Sequence, residues 1–349
     1  MIANKIKQRV ERVVLGGVLA VPHAIAALQP PHRVDGEALC PQIQLFLGML
    51  GAQPRPGMHE LPLEVSRKQY EFICRMTDGR GPKVPRVEDR QIPGPGGEIP
   101  VRIYGPATSG AARPALVYLH GGGFTIGNLE VTDAFCRRVA LGARCVVISV
   151  DYRLAPEHPF PAALDDALAA YAWVVENAES LGVDPARVAV GGDSAGANLA
   201  AVLSIARRDA DLPGPRHQML YYPATAPRSE TESHRLFGDG YFLEAATLDF
   251  FRTSYVGLDP VDDPLASPLL TPDLKGLPDA QVITAGFDPL RDEGRAYAAR
   301  LAEAGVPTLD VLEGRLIHGF VAMDFSRLAR EANARAIRRL GRALEGADA

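Results

Sequence analysis

A serine set among small residues is the first candidate for chemistry in this chain. Ser194 is the centre of Gly192-Asp-Ser-Ala-Gly196, with a strand-like apolar run (Arg187–Val190) before it and an alanine-rich, helix-like run (Ala195–Arg208) after it. A sharp turn from strand to helix exposes a serine hydroxyl, and glycines on both sides avoid Cβ clashes. The N-terminus of the following helix directs N–H groups at any anion formed there. This context predicts that Ser194 is a nucleophile.

The two partners that such a serine needs follow it in the required order. A serine hydroxyl reacts only when a histidine takes its proton and a carboxylate orients that histidine. In a strand–turn–helix scaffold the carboxylate comes next in the chain and the histidine last. Asp288 follows the predicted strand Gln281–Ala285, and His318 follows the predicted strand Thr308–Leu312. Asp292 is the rival carboxylate, and a helix cap is the alternative role of Asp288.

A glycine-rich run supplies donors for a developing negative charge. Tyr118-Leu-His-Gly-Gly-Gly-Phe124 comes directly after the predicted strand Ala115–Leu119. An oxyanion is stabilised by preorganised N–H groups, and glycines let the backbone present them without obstruction by side chains. We therefore predict that the amides of Gly122, Gly123 and Ala195 form an oxyanion hole. The alternative is a merely flexible turn.

Five motifs, in the same order along the chain, resemble those of the hormone-sensitive-lipase-like esterases of the α/β-hydrolase superfamily. The resemblance is to the Gly-Asp-Ser-Ala-Gly subgroup of that family. The motifs are His120-Gly-Gly-Gly123, Asp151-Tyr-Arg-Leu-Ala-Pro-Glu-His-Pro-Phe-Pro161, Gly192-Asp-Ser-Ala-Gly196, Asp288-Pro-Leu-Arg-Asp292 and His318-Gly-Phe320. The resemblance runs from about residue 30 to the C-terminus. It implies an α/β-hydrolase fold, with an eight-stranded, mostly parallel sheet flanked by helices and covered by a helical cap. It also implies cleavage of carboxylic esters without a cofactor.

The resemblance further assigns supporting roles. It implies that His120, Gly121 and Asp193 support the site rather than react, and that Asp151, Arg153 and Glu157 form a structural ion and hydrogen-bond network behind it.

Strands and helices alternate from residue 86 onwards, which is typical of a mostly parallel sheet with helices on both faces. The predicted strands are Arg86–Ile92, Ile99–Tyr104, Ala115–Leu119, Cys145–Val150, Arg187–Val190, Gln218–Tyr222, Gln281–Ala285 and Thr308–Leu312. The predicted helices are Thr132–Leu141, Ala162–Ser180, Ala195–Arg208, Thr247–Tyr255 and Glu293–Ala304.

Two segments break this alternation and predict a cap. Residues 1–85 look helical without a convincing strand, and about residues 224–268 interrupt the catalytic domain 86–349. Both are expected over the carboxyl edge of the sheet, where ligands bind in such folds. Candidate walls of the substrate pocket are Phe124, Leu236, Phe237, Tyr241, Phe242, Phe250 and Phe251. For each of them, packing in the core is the alternative.

Composition narrows the class of protein. The chain has 349 residues, with 37 Lys and Arg against 42 Asp and Glu, so nothing favours a nucleic-acid partner. The four cysteines lack metal-ligand spacing, which predicts no metal site, reduced thiols and a cytoplasmic location. A basic stretch, Met1–Arg12, precedes the apolar run Val13–Val21, which is too short to span a bilayer. We expect an amphipathic helix there, with export or attachment to a membrane surface as the alternative.

The predicted activity is hydrolysis of short- to medium-chain acyl esters through a covalent acyl-enzyme. A lid rich in Phe, Leu and Tyr favours such small-molecule substrates over long triglycerides. An amidase, deacetylase or peptidase would use the same residues. A non-catalytic receptor would be expected to lose part of the triad. A homodimer is left open.

Overall fold

Eight strands form one mostly parallel sheet, which confirms the predicted fold. The structure is a computed structural model that describes residues 16–52, 56–106, 111–226, 230–258 and 262–346. The strands are β1 (Arg86–Gly94), β2 (Gly97–Gly105), β3 (Arg113–Leu119), β4 (Val146–Val150), β5 (Val183–Asp193), β6 (His217–Tyr221), β7 (Asp279–Phe287) and β8 (Thr308–Ile317). Their order across the sheet is β8–β7–β6–β5–β3–β4–β2–β1. Strand β2 is antiparallel to β1 and β4, and the other pairs are parallel.

The central strands are apolar along their whole length because both faces of the sheet are covered. In β3, Val117 and Leu119 belong to the core on one face, and Leu116 and Tyr118 belong to the core on the other. Successive side chains of a strand point to opposite faces, so a strand buried on both sides reads as a continuous apolar run.

Helices cover both faces. They are α1 (Pro41–Gly51), α2 (Leu63–Asp78), α3 (Asp133–Gly142), α4 (Ala162–Glu176), α5 (Ala195–Asp209), α6 (Glu232–Phe237), α7 (Ala245–Val256), α8 (Arg291–Glu303) and α9 (Arg327–Glu345). Shorter pieces are the helical turns His23–Ala26 and Ala178–Leu181 and the 3-10 turns Met58–Glu60, Pro268–Leu270 and Phe320–Ala322. Helices α4, α5 and α8 pack on one face of the sheet, and α3 and α9 pack on the other.

The structure departs from the predicted elements in several places, among them helix α6, which was not predicted. Residues 33–38 contain a small hairpin, Arg33–Val34 paired with Glu37–Ala38, so the prediction of no strand before residue 86 is wrong. Asp35 and Gly36 have positive φ, as a tight hairpin turn requires. The predicted helix Ala162–Ser180 is broken after Glu176. Helix α9 was not predicted. Three of its seven buried residues are alanine and one is asparagine, which weakens the apolar signal in its first half.

Of the N-terminal segment, the basic residues of Met1–Arg12 lie outside the described residues. Among the residues that are described, no helix is long and apolar enough to cross a membrane.

The segment of about residues 224–268 between β6 and β7, called the insertion below, has its two ends close together. Leu269 N–H donates to Thr225 O at 3.0 Å. Asn198, on α5, donates from Nδ2 to Ala224 O at 2.7 Å and to Ala266 O at 2.9 Å. One side chain therefore binds both ends of the insertion.

Candidate active site

Ser194 lies on a sharp turn between β5 and α5. Its backbone has φ +56° and ψ −117°, outside the regions that a serine ordinarily adopts. Its N–H donates to Tyr221 O on the neighbouring strand at 2.9 Å. A Cβ at Gly196 would lie 1.9 Å from Leu119 O, and one at Gly192 would lie 2.4 Å from the same oxygen. The two glycines therefore permit the close approach of β3 that the turn requires.

The side chains of Asp288, His318 and Ser194 form a continuous hydrogen-bonded chain. His318 Nε2 lies 3.0 Å from Ser194 Oγ, and His318 Nδ1 lies 2.9 Å from Asp288 Oδ2. Asp288 is fully buried, and its Oδ1 accepts the N–H of Leu290 at 2.9 Å. Because an ionised carboxylate only accepts, Nδ1 carries the imidazole proton and the Nε2 lone pair faces the hydroxyl. This arrangement is suited to removal of the hydroxyl proton.

The rival carboxylate has a different position. Asp292 Oδ2 accepts the N–H of Ser233 at 2.8 Å, and its Oδ1 pairs with Arg291 at 2.8 Å. These contacts join α6 to the start of α8. It is Asp288, at the end of β7, that contacts His318, at the end of β8.

The glycine loop is held against the serine turn by a buried carboxylate. Asp193 Oδ1 accepts the N–H of Gly121 at 3.0 Å and the hydroxyl of Tyr118 at 2.8 Å. Burial raises the pKa of Asp193 to about 6, although both hydrogen bonds oppose that change. The loop that carries the glycines is thereby joined to the residue immediately before the serine.

Three residues predicted to supply an oxyanion hole lie at the cavity above Ser194. Gly122, Gly123 and Ala195 all line that cavity. Within the described ranges, the hydrogen bonds seen in the structure include no acceptor for their N–H groups. Free amides at the N-terminus of α5 and in a glycine loop can stabilise a negatively charged oxygen.

His120 is fully buried and bonded within its own loop. Its Nδ1 donates to Gly121 O at 2.8 Å, since a carbonyl can only accept, and its ring stacks on Tyr152 with 4.3 Å between centroids. The Tyr152 hydroxyl donates to His120 O at 2.6 Å. Burial lowers the pKa of His120 to about 4, so the imidazole is neutral near neutral pH. The imidazole that contacts Ser194 Oγ is that of His318.

The predicted network of Asp151, Arg153 and Glu157 is wrong as one network. Arg153 pairs with Asp166 of α4 at 2.8 Å, and Glu157 pairs with Arg67 of α2 at 2.7 Å. Burial raises the pKa of Asp151 to about 6, and its Oδ1 lies 3.9 Å from His120 Nε2. The motif lies in an irregular loop, whose side chains turn towards different neighbouring elements.

Arg67 of α2 was not predicted from the sequence, and it connects α2 to two loops near the site. Its guanidinium forms a two-pronged pair with Glu157, and it donates to Thr125 O at 3.0 Å and to Ala155 O at 3.1 Å. Thr125 directly follows the glycine loop. Helix α2 is therefore attached to that loop, through a contact that no local sequence pattern marks.

A cavity of about 1120 Å³ lies above Ser194 and His318. Both segments predicted as a cap contribute to its walls. The lining residues outside the sheet domain include Leu47, Leu50, Met58, Tyr70, Ile73, His234, Phe242, Leu248, Phe251, Arg252 and Tyr255. The two segments also contact each other, through His32 Nε2 and Tyr241 Oη at 2.7 Å and through His59 Nδ1 and Thr247 Oγ1 at 3.2 Å.

The predicted pocket walls divide into two groups. Phe124, Phe242 and Phe251 line the cavity, and their contact with substrate stays a prediction. The remaining predictions are wrong as cavity walls, and these residues are Leu236, Phe237, Tyr241 and Phe250. Phe237 is buried between Phe287 and the Arg291 guanidinium, and Tyr241 is turned towards His32.

Within the described ranges, no group of three or more His, Cys, Asp or Glu side chains could hold a metal ion. The four cysteines are buried and unpaired.

Comparison with known proteins gives matches over most of the chain. A family model described as the alpha/beta hydrolase fold matches residues 116–322. The chain is 45% identical over 299 residues to the carboxylic ester hydrolase LipN of Mycobacterium tuberculosis, covering 82% of this chain and 78% of LipN. It is 39% identical over 299 residues to the ethyl acetate hydrolase of Pseudomonas putida, covering 82% and 93% of the two chains.

A solved structure is similarly close. An ester hydrolase from the metagenome of Lake Arreo, in complex with a derivative of bipyridine phosphonate, superposes with a TM-score of 0.84 at 47% identity. The match covers 87% of this chain and 98% of that one.

Proposed function

This chain belongs to the α/β-hydrolase fold family, and on that premise we propose that it is a serine carboxylic ester hydrolase with Ser194, His318 and Asp288 as its catalytic triad. The observation that carries the proposal is the contact chain from Asp288 through His318 to Ser194, next to three free amides. The names of the relatives, a carboxylic ester hydrolase and an ethyl acetate hydrolase, support the same reaction.

Each step uses a group already described. Ser194 Oγ attacks the ester carbonyl carbon while His318 Nε2 takes the hydroxyl proton. The carbonyl oxygen becomes an oxyanion and accepts N–H bonds from Gly122, Gly123 and Ala195. Collapse breaks the bond to the alcohol oxygen, which receives the proton from His318. Water then attacks the acyl-enzyme, His318 takes its proton, and that proton returns to Ser194 as the acid leaves.

The cavity supports small-molecule esters as substrates. The cavity of about 1120 Å³, walled in part by the two cap segments, has more room than an acetyl group needs. The apolar side chains from α1 and α2 favour hydrocarbon over charged groups in their part of the cavity, whereas α7 contributes Asp249 and Arg252 beside its apolar residues. We therefore propose short- to medium-chain acyl esters, with the described part of residues 1–85 and residues 224–268 as the cap.

A serine amidase, deacetylase or peptidase would share this machinery, because only the leaving group differs. The ester names of the relatives favour the esterase. Turnover of a p-nitrophenyl ester and of the anilide with the same acyl group distinguishes the two, and the proposal expects the ester to be strongly preferred. A non-catalytic receptor would turn over neither.

The test of the triad is Ser194→Ala. We expect kcat/KM for p-nitrophenyl butyrate to fall at least about 10³-fold, since removing the nucleophile abolishes the covalent route. Circular dichroism and thermal melting should show an intact fold. Near-wild-type turnover by this variant would overturn the proposal.

A cytoplasmic location and a homodimer stay predictions. Four buried, unpaired cysteines support a reducing compartment. Sedimentation of the purified protein measures its oligomeric state.

A further inference from the structure

We propose that Phe242 sets the chain length of the substrate, because its ring closes an apolar arm of the cavity beside His318. The inference rests on the proposed esterase function and extends it to which esters are accepted. Removing the ring would lengthen the arm and move the preference to longer chains.

The arm, as defined here, is the part of the cavity wall between the N-terminal helices and the loop after β8. Its residues are Leu47, Leu50, Tyr70, Ile73, Phe242 and Gly319. Two come from α1, two from α2, one from the insertion and one from the position directly after His318. A hydrocarbon chain attached to an ester at Ser194 is the ligand that this surface fits, because nearly all of the surface is apolar.

Phe242 packs closely against Gly319, another residue of the arm. A Cβ at Gly319 would lie 3.2 Å from Phe242 Cε1 and 3.6 Å from its Cδ1, so the ring lies directly over that glycine. On its other side the ring contacts Phe46 of α1, with 6.0 Å between centroids. The ring is thus in contact with both the cap and the loop that carries His318.

The backbone of Phe242 is strained in this position. Its φ is +79°, in the left-handed region that an aromatic residue rarely adopts. Strain of this kind persists where the surroundings over-determine the conformation, and it is concentrated at ligand-binding sites. The strain therefore supports a functional position for this ring.

A second, smaller void lies on the far side of the same residues. Its volume is about 10 Å³, roughly the space of one water molecule. The residues that line both this void and the large cavity are Phe242, Tyr70, Ile73, Gly319 and Asp193. The rest of the void's wall consists of Cys74, Val131, Val321, Ala322 and Met323, with two threonines, Thr77 and Thr132. Truncating Phe242 would join the two spaces and add the volume of the ring to the arm.

The experiment compares chain-length profiles of kcat/KM. Wild type, Phe242→Ala, Phe242→Leu and Phe250→Ala are assayed with p-nitrophenyl esters from acetate to laurate and with acetate esters of alcohols of matching length. Phe250→Ala is the matched control, since Phe250 is a phenylalanine of the same insertion that does not line the cavity.

We expect Phe242→Ala to move the optimum by two or more carbons in one of the two series, because one arm holds one side of the ester. Each methylene that gains an apolar environment is worth about four-fold, so the ratio of long- to short-chain kcat/KM should rise at least about ten-fold. Phe242→Leu should shift the profile less, and Phe250→Ala should leave it as in wild type.

Two results would overturn the inference. One is a folded Phe242→Ala with an unchanged profile in both series, and the other is an equal shift in Phe250→Ala. If Phe242→Ala fails to fold, the profile of Phe242→Leu decides. Failure of the esterase proposal itself is distinguishable, because it would appear as no turnover of any ester by the wild type, or as near-wild-type turnover by Ser194→Ala.

Discussion

The ring of Tyr222 lies against the imidazole of His318, with 4.5 Å between the ring centroids and 51° between the planes. Tyr222 is fully buried, has φ +33°, and its hydroxyl accepts the N–H of Val321 at 3.3 Å. The preceding residue, Tyr221, accepts the N–H of Ser194. The end of β6 therefore contacts both the serine turn and the histidine loop.

Tyr222→Leu is expected to lower kcat with little change in KM. Loss of the ring leaves the imidazole free to shift, and a misplacement of about 1 Å can cost roughly 10²-fold in rate, so we expect a loss of about 10- to 100-fold. Tyr222→Phe keeps the ring and should restore most of kcat. Steady-state kinetics with p-nitrophenyl butyrate measures both constants.

Tyr297→Leu is the control for this substitution. Tyr297 is a fully buried tyrosine of α8, in the core on one face of the sheet and outside the cavity. The Tyr297→Leu variant should have a lower melting temperature than the wild type and an unchanged kcat. A Tyr222→Leu variant with wild-type kcat would show that the ring contact is irrelevant to the reaction.

The variants Asp288→Asn and Asp292→Asn test which of the two candidate carboxylates orients His318. Asparagine at 288 can no longer hold a protonated Nδ1 as a carboxylate does, and kcat should fall by roughly 10³- to 10⁴-fold. Asparagine at 292 keeps an acceptor for Ser233, so its kcat should stay within about three-fold of wild type. Equal losses in the two variants would contradict the assignment.

The attachment of α2 is tested by Arg67→Lys and Arg67→Met. Lysine cannot reproduce the forked geometry that reaches Glu157, Thr125 and Ala155 together. We expect Arg67→Met to lower the free energy of unfolding by about 1–3 kcal/mol, mostly through the two carbonyls that lose a donor. Both variants should also lower kcat/KM, because Thr125 follows the glycine loop.

Glu157→Gln serves as the control for the charge at this attachment. The carboxylate is half exposed, so removing its charge should cost less than about 1 kcal/mol. Urea unfolding measures both effects. A larger loss in Glu157→Gln than in Arg67→Met would assign the stabilisation to the ion pair instead.

The buried imidazole of His217 makes folding sensitive to acid. Burial lowers the pKa of His217 from 6.5 to about 4. Below about pH 6.5 the unfolded chain binds a proton that the folded protein does not bind until about pH 4, so stability from this group falls as pH falls through that window. Between about pH 7.5 and about pH 5 the loss amounts to about 2 kcal/mol.

His217→Leu should remove this loss. Within the described part of the chain both ring nitrogens of His217 are buried without a hydrogen-bond partner, so leucine should cost little at neutral pH. Urea unfolding of both proteins at the two pH values gives the difference directly. That comparison also cancels other buried groups that titrate in the same window, such as Asp193 with its pKa near 6. Parallel curves for the two proteins would refute the prediction.

The sheet and the positions of Ser194, Asp288 and His318 could be predicted because local signals mark them. Each follows a short apolar run, and the carboxyl ends of parallel strands meet at one edge. The directions of side chains in the cap carry no such signal. Phe250 and Phe251 are adjacent on α7, where successive residues point about 100° apart, and only the docking of the helix decides which ring faces the cavity.

Long-range contacts explain the other omissions. Arg67 meets its partners 58 to 90 residues further along the chain, and no sequence spacing announces that meeting. Tyr222 was predicted as the last residue of a strand. In the structure its backbone leaves the strand conformation so that its ring can reach His318.

Asn198 binds both ends of the insertion one turn after Ser194, and the consequence is modularity. A segment that leaves and re-enters a fold at one point can change in length at little cost, since closing a loop depends only weakly on the number of residues in it. The segment from Ala224 to Ala266 can therefore be lengthened, shortened or exchanged while the nucleophile stays in place. In evolution or in the laboratory, this scaffold can acquire new substrates without rebuilding its chemistry.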